Sequence, residues 1–311
     1  MAAIHRRALV TGGAGFIGSH LAQRLLDEGL QVVVLDNLSV GKRENLPRRA
    51  EFVLGDVADA AAVSRAISGA DVVFHLAARV SIRASVVGYY EDAQTNLMGT
   101  LNVLQLCAAQ SVKKFVYASS MAVYADALRP DPLPETHPTV PVSPYGVAKL
   151  ACERYSMLIA GQSGFQAVAL RYFNTYGPRQ TYTPYVGVVT IFVRRLLQGE
   201  PPVIFGDGAQ CRDFVHVDDV VDCTYRAMLC HVHGEVFNVG SGIGTTVNEL
   251  AALLAARLRP GMLPAYAEQH PGELRNSIAD ITKARTLLEF EPRFRLEDKV
   301  DDIIAWNRGT V

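Results

Sequence analysis

The chain lacks the marks of several protein classes. Its five cysteines are scattered through 311 residues with no CxxC or CxxCH spacing, so neither a disulfide scaffold nor a thiolate metal or haem site is indicated. Charge of one sign is not in excess: 30 Lys and Arg face 31 Asp and Glu, a formal net charge of −1, which speaks against a basic nucleic-acid footprint. Long hydrophobic runs are missing too. The longest charge-free segment, residues 93–112, is interrupted by Gln94, Asn96, Thr100, Asn102 and Gln105, which lipid would tolerate only at a cost, so no membrane span is expected. The start, MAAIHRRALVTGG, passes from two arginines into a short apolar run that ends in glycines and has no room for a signal-peptide core. A cytoplasmic protein is the expectation. No repeat or low-complexity tract is present, and His75, His216, His231 and His233 are not grouped with acids or cysteines at ligand spacing, so no metal is expected.

What is present is a globular composition, 49% apolar and 20% charged. Short β-rich runs at 8–11, 31–35, 51–54, 71–75, 114–118 and 167–171 alternate with helical patterns at 16–28, 60–67, 85–110 and 145–160, which reads as βαβ units. The runs VVVL, DVVF and KFVYA are continuously apolar, as parallel strands covered on both faces are. A doubly wound α/β domain is predicted for residues 1–173 and about 213–240, since 236–239 reads as one more buried strand. A smaller α/β lobe is predicted for about 174–212 and 241–311, with helices near 186–197, 247–258 and 297–306; the helix near 217–229 falls in the first domain.

Two constellations carry chemistry. Gly12, Gly15 and Gly18 in LVTGGAGFIG lie between a predicted strand and a predicted helix, where glycine lets the backbone approach a pyrophosphate and the helix N-terminus stabilises its charge. Asp36 closes the second strand, where a carboxylate accepts from a ribose diol and repels a 2′-phosphate; NAD is expected, with Lys42 and Arg43 leaving an NADP-type cofactor open. Asp56 follows the third strand as a candidate for the adenine edge, or as a plain turn carboxylate. Tyr145 and Lys149, four residues apart at a helix start, share a face; an ammonium beside a phenol favours the phenolate and makes Tyr145 a usable base. A surface helix pair is the plain alternative. Ser119 and Ser120 follow a strand, where ligands sit in open α/β sheets, and a hydroxyl there can hold a substrate oxygen.

TGGAGFIGSH, HLAA, SSMAVY, SPYGVAK, RYFNTYGPRQ and GDGAQCRDFVHVDD together resemble the extended short-chain dehydrogenase/reductase family over nearly the whole chain, and within it the nucleotide-sugar 4-epimerases that act on UDP-hexoses. The resemblance implies a Rossmann domain with bound NAD, a UDP-sugar lobe, a homodimer built through helices 85–110 and 145–160, and Ser120, Tyr145 and Lys149 as the catalytic set. Tyr145 would take the proton of the sugar 4-hydroxyl as its C4 hydride passes to the nicotinamide, giving a 4-keto sugar reduced on its other face. Cofactor contacts are expected at Gly12, Gly15, Phe16, Ile17, Gly18, Asp36, Asn37, Asp56, Val57, Ala77, Tyr145 and Lys149.

For the substrate, the resemblance points to Ser120, Asn174, Arg212 and Arg275, with Val203 and Phe205 as a uracil wall. His270 stands where many hexose epimerases carry arginine. Ser277 stands where glucose-restricted epimerases carry tyrosine, so space for a 2-acetamido group, and turnover of UDP-GlcNAc beside UDP-glucose, is expected. Related 4,6-dehydratases and decarboxylases carry acids at the positions of Met121 and Ala122, and glucuronate 4-epimerases carry threonine at Asn174; both readings rank below the hexose epimerase. A dinucleotide-sensing module would not require Ser120, Tyr145 and Lys149 together.

Overall fold

The computed structural model describes residues 5–127, 129–183, 187–268 and 274–309. The first half alternates: β1 (Arg7–Thr11), α1 (Phe16–Asp27), β2 (Gln31–Asp36), β3 (Glu51–Leu54), α2 (Ala60–Ile67), β4 (Val72–His75), α3 (Ile82–Val87), α4 (Tyr89–Ala93), α5 (Gly99–Ala109), β5 (Lys114–Ser120), α6 (Pro144–Ser163) and β6 (Gln166–Tyr172). The second half is more broken: β7 (Asn174–Tyr176), α7 (Val188–Leu197), β8 (Val203–Phe205), β9 (Cys211–His216), α8 (Val217–Leu229), β10 (Glu235–Val239), β11 (Gly244–Thr246), α9 (Val247–Leu258), β12 (Ala265–Ala267), β13 (Asn276–Ser277), α10 (Thr282–Leu288) and α11 (Leu296–Arg308).

Seven parallel strands form one sheet in the order β10-β6-β5-β4-β1-β2-β3. Side chains alternate across it. Ala8 and Val10 join the core under α1 and α8, whereas Leu9 joins the opposite core under α2, α5 and α6, so both faces are buried and the strands need continuous apolar sequence. Strand order reverses between β1 and β4, the position where open α/β sheets leave a ligand crevice at the carboxyl ends. A third core joins α7, α9 and α11. Beside it β9 pairs in parallel with β7 and β13 and antiparallel with β11, and β8 pairs with β12.

The single helix expected over 85–110 is corrected. Gly88 leaves helical geometry between α3 and α4, and residues 94–98 form a wide π turn before α5. Polar side chains explain the turn. The Asn96 carbonyl accepts from Thr100 Oγ1 and Cys152 Sγ, and its side-chain amide bonds the backbone of Arg79 and the Asp92 carboxylate, so Asn96 is drawn off the α-helical ladder. The short strands β7, β8, β9 and β11 to β13 and helix α10 go beyond the sequence reading. Most of the strands run for two or three residues, too short to display a period.

Candidate functional site

Three glycines shape the turn between β1 and α1. Gly12 has φ +68°, and a Cβ there would lie 2.7 Å from the Ala77 nitrogen; a Cβ at Gly18 would lie 2.3 Å from the Gly12 carbonyl. These two allow the turn and the close seating of α1. Gly15, which precedes the helix, would meet only the Gly12 oxygen, so its outer side is open to a ligand. No acidic side chain stands in the first turn of α1 to neutralise its dipole, and Phe16 and Ile17 are half-buried there.

Asp36 is buried at the end of β2. Its carboxylate accepts from Ala14 N at 2.9 Å and Leu38 N at 2.8 Å, tying it to the glycine turn while leaving acceptor capacity on both oxygens. Asn37 donates to Asp56 at 2.7 Å, Val57 is buried and accepts from Asn102, and Ala77 N donates to Thr11 Oγ1. The predicted cofactor residues of the turn and of β2, β3 and β4 therefore lie along the carboxyl edge of adjacent strands. The open glycine cradle, the helix N-terminus and the carboxylate fit an adenine dinucleotide. Lys42 is paired with Glu44 and Arg43 lies over the Phe52 ring at 4.6 Å, so both cations named for a 2′-phosphate have other partners.

Ser120 ends β5 and accepts from Ala122 N. Across from it, Ser143 caps α6 by accepting from Gly146 N at 3.1 Å, with Pro144 in the first turn. Tyr145 and Lys149 are buried one turn apart on the inner face of α6. The Ser120 hydroxyl lies near enough to the Tyr145 phenol to favour its anion. Lys149 Nζ donates to the Ala118 carbonyl at 2.7 Å and lies 5.7 Å from the Tyr145 ring centroid and 4.9 Å from that of Tyr117. Burial governs both groups: it pushes the phenol up to about 12, against the lowering effect of the Ser120 hydroxyl, and the ammonium down to about 8. Lys149 is not among the groups that shift the phenol: burial raises it most, the Ser120 hydroxyl lowers it and the Asp92 charge raises it.

Next along the chain from Ser120, a cavity of about 270 Å³ is lined by Met121, Ala122 and Ser143 and by Asn174, Val203, Phe205 and Arg212. Asn174 Nδ2 is buried with no hydrogen-bond partner among the described residues. Arg212 donates to the carbonyls of Cys211 and Arg275. A residue missed from sequence is Arg83 on α3, which also lines the cavity with its guanidinium 5.3 Å from the Phe205 ring centroid; its one signal in the sequence is a cation shortly after HLAA.

Arg275 and Ser277 depart from expectation. The Arg275 guanidinium is held by both oxygens of Asp207 at 2.8 and 2.9 Å, at the surface and off the cavity wall, and this pairing holds the Asp207 carboxyl down at about 2. Ser277 on β13 is wholly buried, its hydroxyl without a partner among the described residues, and it is not among the described residues that line the cavity, so nothing in the structure links it to space for a 2-acetamido group. His270 lies outside the described residues. Among the described residues no cluster of His, Cys, Asp or Glu could hold a metal, and no helix is long and apolar enough to cross a membrane.

Residues 8–240 match the family described as NAD dependent epimerase/dehydratase. A UDP-glucose 4-epimerase from Thermotoga maritima, solved with UDP-glucose, is 43% identical, covers 98% of this chain and 99% of its own, and superposes with a TM-score of 0.94. A UDP-glucose 4-epimerase from Thermus thermophilus, solved with NAD, is 37% identical with coverage of 98% and 100% and a TM-score of 0.91. A UDP-N-acetylglucosamine 4-epimerase from Methanobrevibacter ruminantium, solved with UDP-N-acetylmuramic acid, is 34% identical with coverage of 98% and 99% and a TM-score of 0.93. With its parallel sheet, its glycine turn and its tyrosine and lysine at the sheet's carboxyl edge, this chain belongs to the NAD-dependent epimerase/dehydratase family.

Proposed function

We propose that the chain inverts C4 of UDP-glucose and UDP-galactose, with UDP-GlcNAc and UDP-GalNAc as further substrates. The observation that carries this is the Ser120 hydroxyl near the Tyr145 phenol, with Lys149 one turn along α6, in chain segments whose neighbouring residues Met121, Ala122 and Ser143 line a cavity together with Asn174 and Arg212. NAD, when bound, supplies a reversible hydride acceptor whose oxidised ring is positively charged. The residues proposed to hold it are Gly12, Gly15, Phe16, Ile17, Gly18, Asp36, Asn37, Asp56, Val57, Ala77, Tyr145 and Lys149.

In this reading Tyr145 acts as the phenolate that Lys149 together with a bound oxidised nicotinamide ring would favour against burial; it takes the proton of the 4-hydroxyl at its phenol oxygen and returns it, while Ser120 holds that hydroxyl. Lys149, fixed by Ala118, keeps a positive charge next to the ring. Arg212 faces the diphosphate, Asn174 donates its unused amide to the sugar nucleotide, and Val203 and Phe205 flank the base. Met121 and Ala122 on the wall favour epimerisation over dehydration, since neither side chain can carry a proton at C5 or C6. With the Ser277 argument gone, turnover of the 2-acetamido sugars rests on likeness to the GlcNAc epimerase alone.

The test is a panel of UDP-glucose, UDP-GlcNAc, UDP-glucuronate and dTDP-glucose, followed by product sugar and by reduced-nicotinamide absorbance. Galactose-configured product without net NADH is expected; stoichiometric NADH or a 4-keto-6-deoxy sugar would reject the proposal. Tyr145→Phe is expected to lower kcat at least about 100-fold, the lower range for positioned proton transfer. A homodimer through the outer faces of α4 to α6 belongs to the same reading.

A further inference from the structure

Directly behind the Ser120, Tyr145 and Lys149 set lies an ion pair sealed from solvent. Glu153, one turn beyond Lys149 on α6, is 2% exposed and Arg171 on β6 is 3% exposed. Arg171 Nε donates to Glu153 Oε1 at 2.9 Å and its terminal nitrogen to Oε2 at 2.7 Å. Glu153 Oε1 also accepts from Ser119 Oγ at 2.5 Å. Ser119 immediately precedes Ser120 and sits opposite Arg171 in the β5–β6 register. The guanidinium donates further to the Glu135 carbonyl and lies 4.7 Å from the Tyr124 ring centroid, and the Tyr124 hydroxyl donates to Asn238 on β10.

A buried ion pair adds little net stability over an apolar contact of equal shape, because both ions must be desolvated. Its directional bonds do fix geometry. Side chains alternate along a strand, so pinning Ser119 to α6 fixes the rotation of the end of β5 and hence the direction in which Ser120 points. The two halves of the proton-handling pair stand on different elements, Ser120 on β5 and Tyr145 on α6, and Glu153 ties those elements together beside the Lys149 bond to Ala118.

We propose that Glu153 is a positioning residue for the epimerase reaction: through Ser119 Oγ, and braced by Arg171, it holds the end of β5 against α6 so that the Ser120 hydroxyl stays on the Tyr145 phenol. This rests on the reading of Ser120 and Tyr145 as the proton-handling pair.

The test compares Ser119→Ala, which leaves the ion pair whole, with Glu153→Gln and the double variant, using the full-length protein. Measured are kcat and KM for UDP-glucose, the Kd for UDP, and the thermal midpoint. Ser119→Ala is expected to lose about tenfold in kcat with KM and the UDP Kd within about twofold, as a small misplacement of reacting groups does. Glu153→Gln should lose at least as much, and the double variant no more than Glu153→Gln, because both substitutions cut one connection. Wild-type kcat in Ser119→Ala, additive losses, or UDP affinity falling in step with the thermal midpoint would overturn the inference. A wild-type protein that turns over no nucleotide sugar would sink the parent reading, a result told apart from the others without any variant.

Discussion

His75 illustrates what a single side chain does at this site's edge. Its ring is buried between Thr11 and Thr100, with Nδ1 2.7 Å from one hydroxyl and Nε2 2.9 Å from the other. Thr100 spends its own proton on the Asn96 carbonyl, so it accepts from Nε2; Thr11 accepts from Ala77 N and donates to Nδ1. The network therefore assigns the neutral ring with its proton on Nε2. Burial, aided by the Lys149 charge, lowers its pKa to about 3. Between pH 6.5 and about 3 the unfolded chain binds the proton that the folded chain refuses, so stability falls as pH drops through that window, by about 1.4 kcal/mol per unit. Urea midpoints at pH 7 and pH 5 are expected to differ more for the wild type than for His75→Gln; parallel shifts would refute this. HLAA marks the residue's position but not its role, since Thr11 and Thr100 are 64 and 25 residues distant.

At the level of elements, α6 carries Tyr145 and Lys149 and sets how they stand against β5. Its start is legible in SPYGVAK: Ser143 caps it, Pro144 follows, and Tyr145 and Lys149 share one face by helical spacing alone. How near that face comes to β5 is not legible. A Cβ on Gly146 would lie 2.3 Å from the Ala122 carbonyl and 2.9 Å from Pro141, so α6 rests on the turn that follows Ser120 through a residue without a side chain. Gly146→Ala must push the helix start away from that turn. We expect kcat to fall about 10- to 100-fold while UDP binding persists, because a displacement near 1 Å costs on that order; unchanged kcat would mean that the contact does not set the Ser120–Tyr145 distance. The neighbouring stretch escapes sequence reading for a related reason: residues 85–110 carry helical composition, but the polar contacts of Asn96 divide them.

For the molecule as a whole, the outer side of the same helices is unusually apolar. Val147, Tyr155 and Leu158 on α6 are 42–56% exposed, and Tyr89, Tyr90 and Met98 beside them 57–66%. Their inner neighbours Tyr145, Ala148 and Cys152 are buried in the monomer, so the outer stripe is left to cover by association. Light scattering is expected to give a mass of two chains, and Tyr155→Glu with Leu158→Asp a mass of one; a monomeric wild type would reject the homodimer.

The alternation of strands and helices, the glycine turn, Asp36, the Tyr145 and Lys149 pair on one helix face and most helix limits follow from sequence because each depends on neighbours a few residues apart: a period, a cap, a turn that only glycine completes. Tertiary structure decided the rest. Arg275 goes to Asp207 rather than to the cavity, Ser277 turns inward, Arg83 reaches Phe205, and burial rather than Lys149 governs the Tyr145 phenol. Each of these outcomes depends on which distant segment packs opposite and how much water it removes, and those are properties of the folded interior, which a linear pattern does not encode.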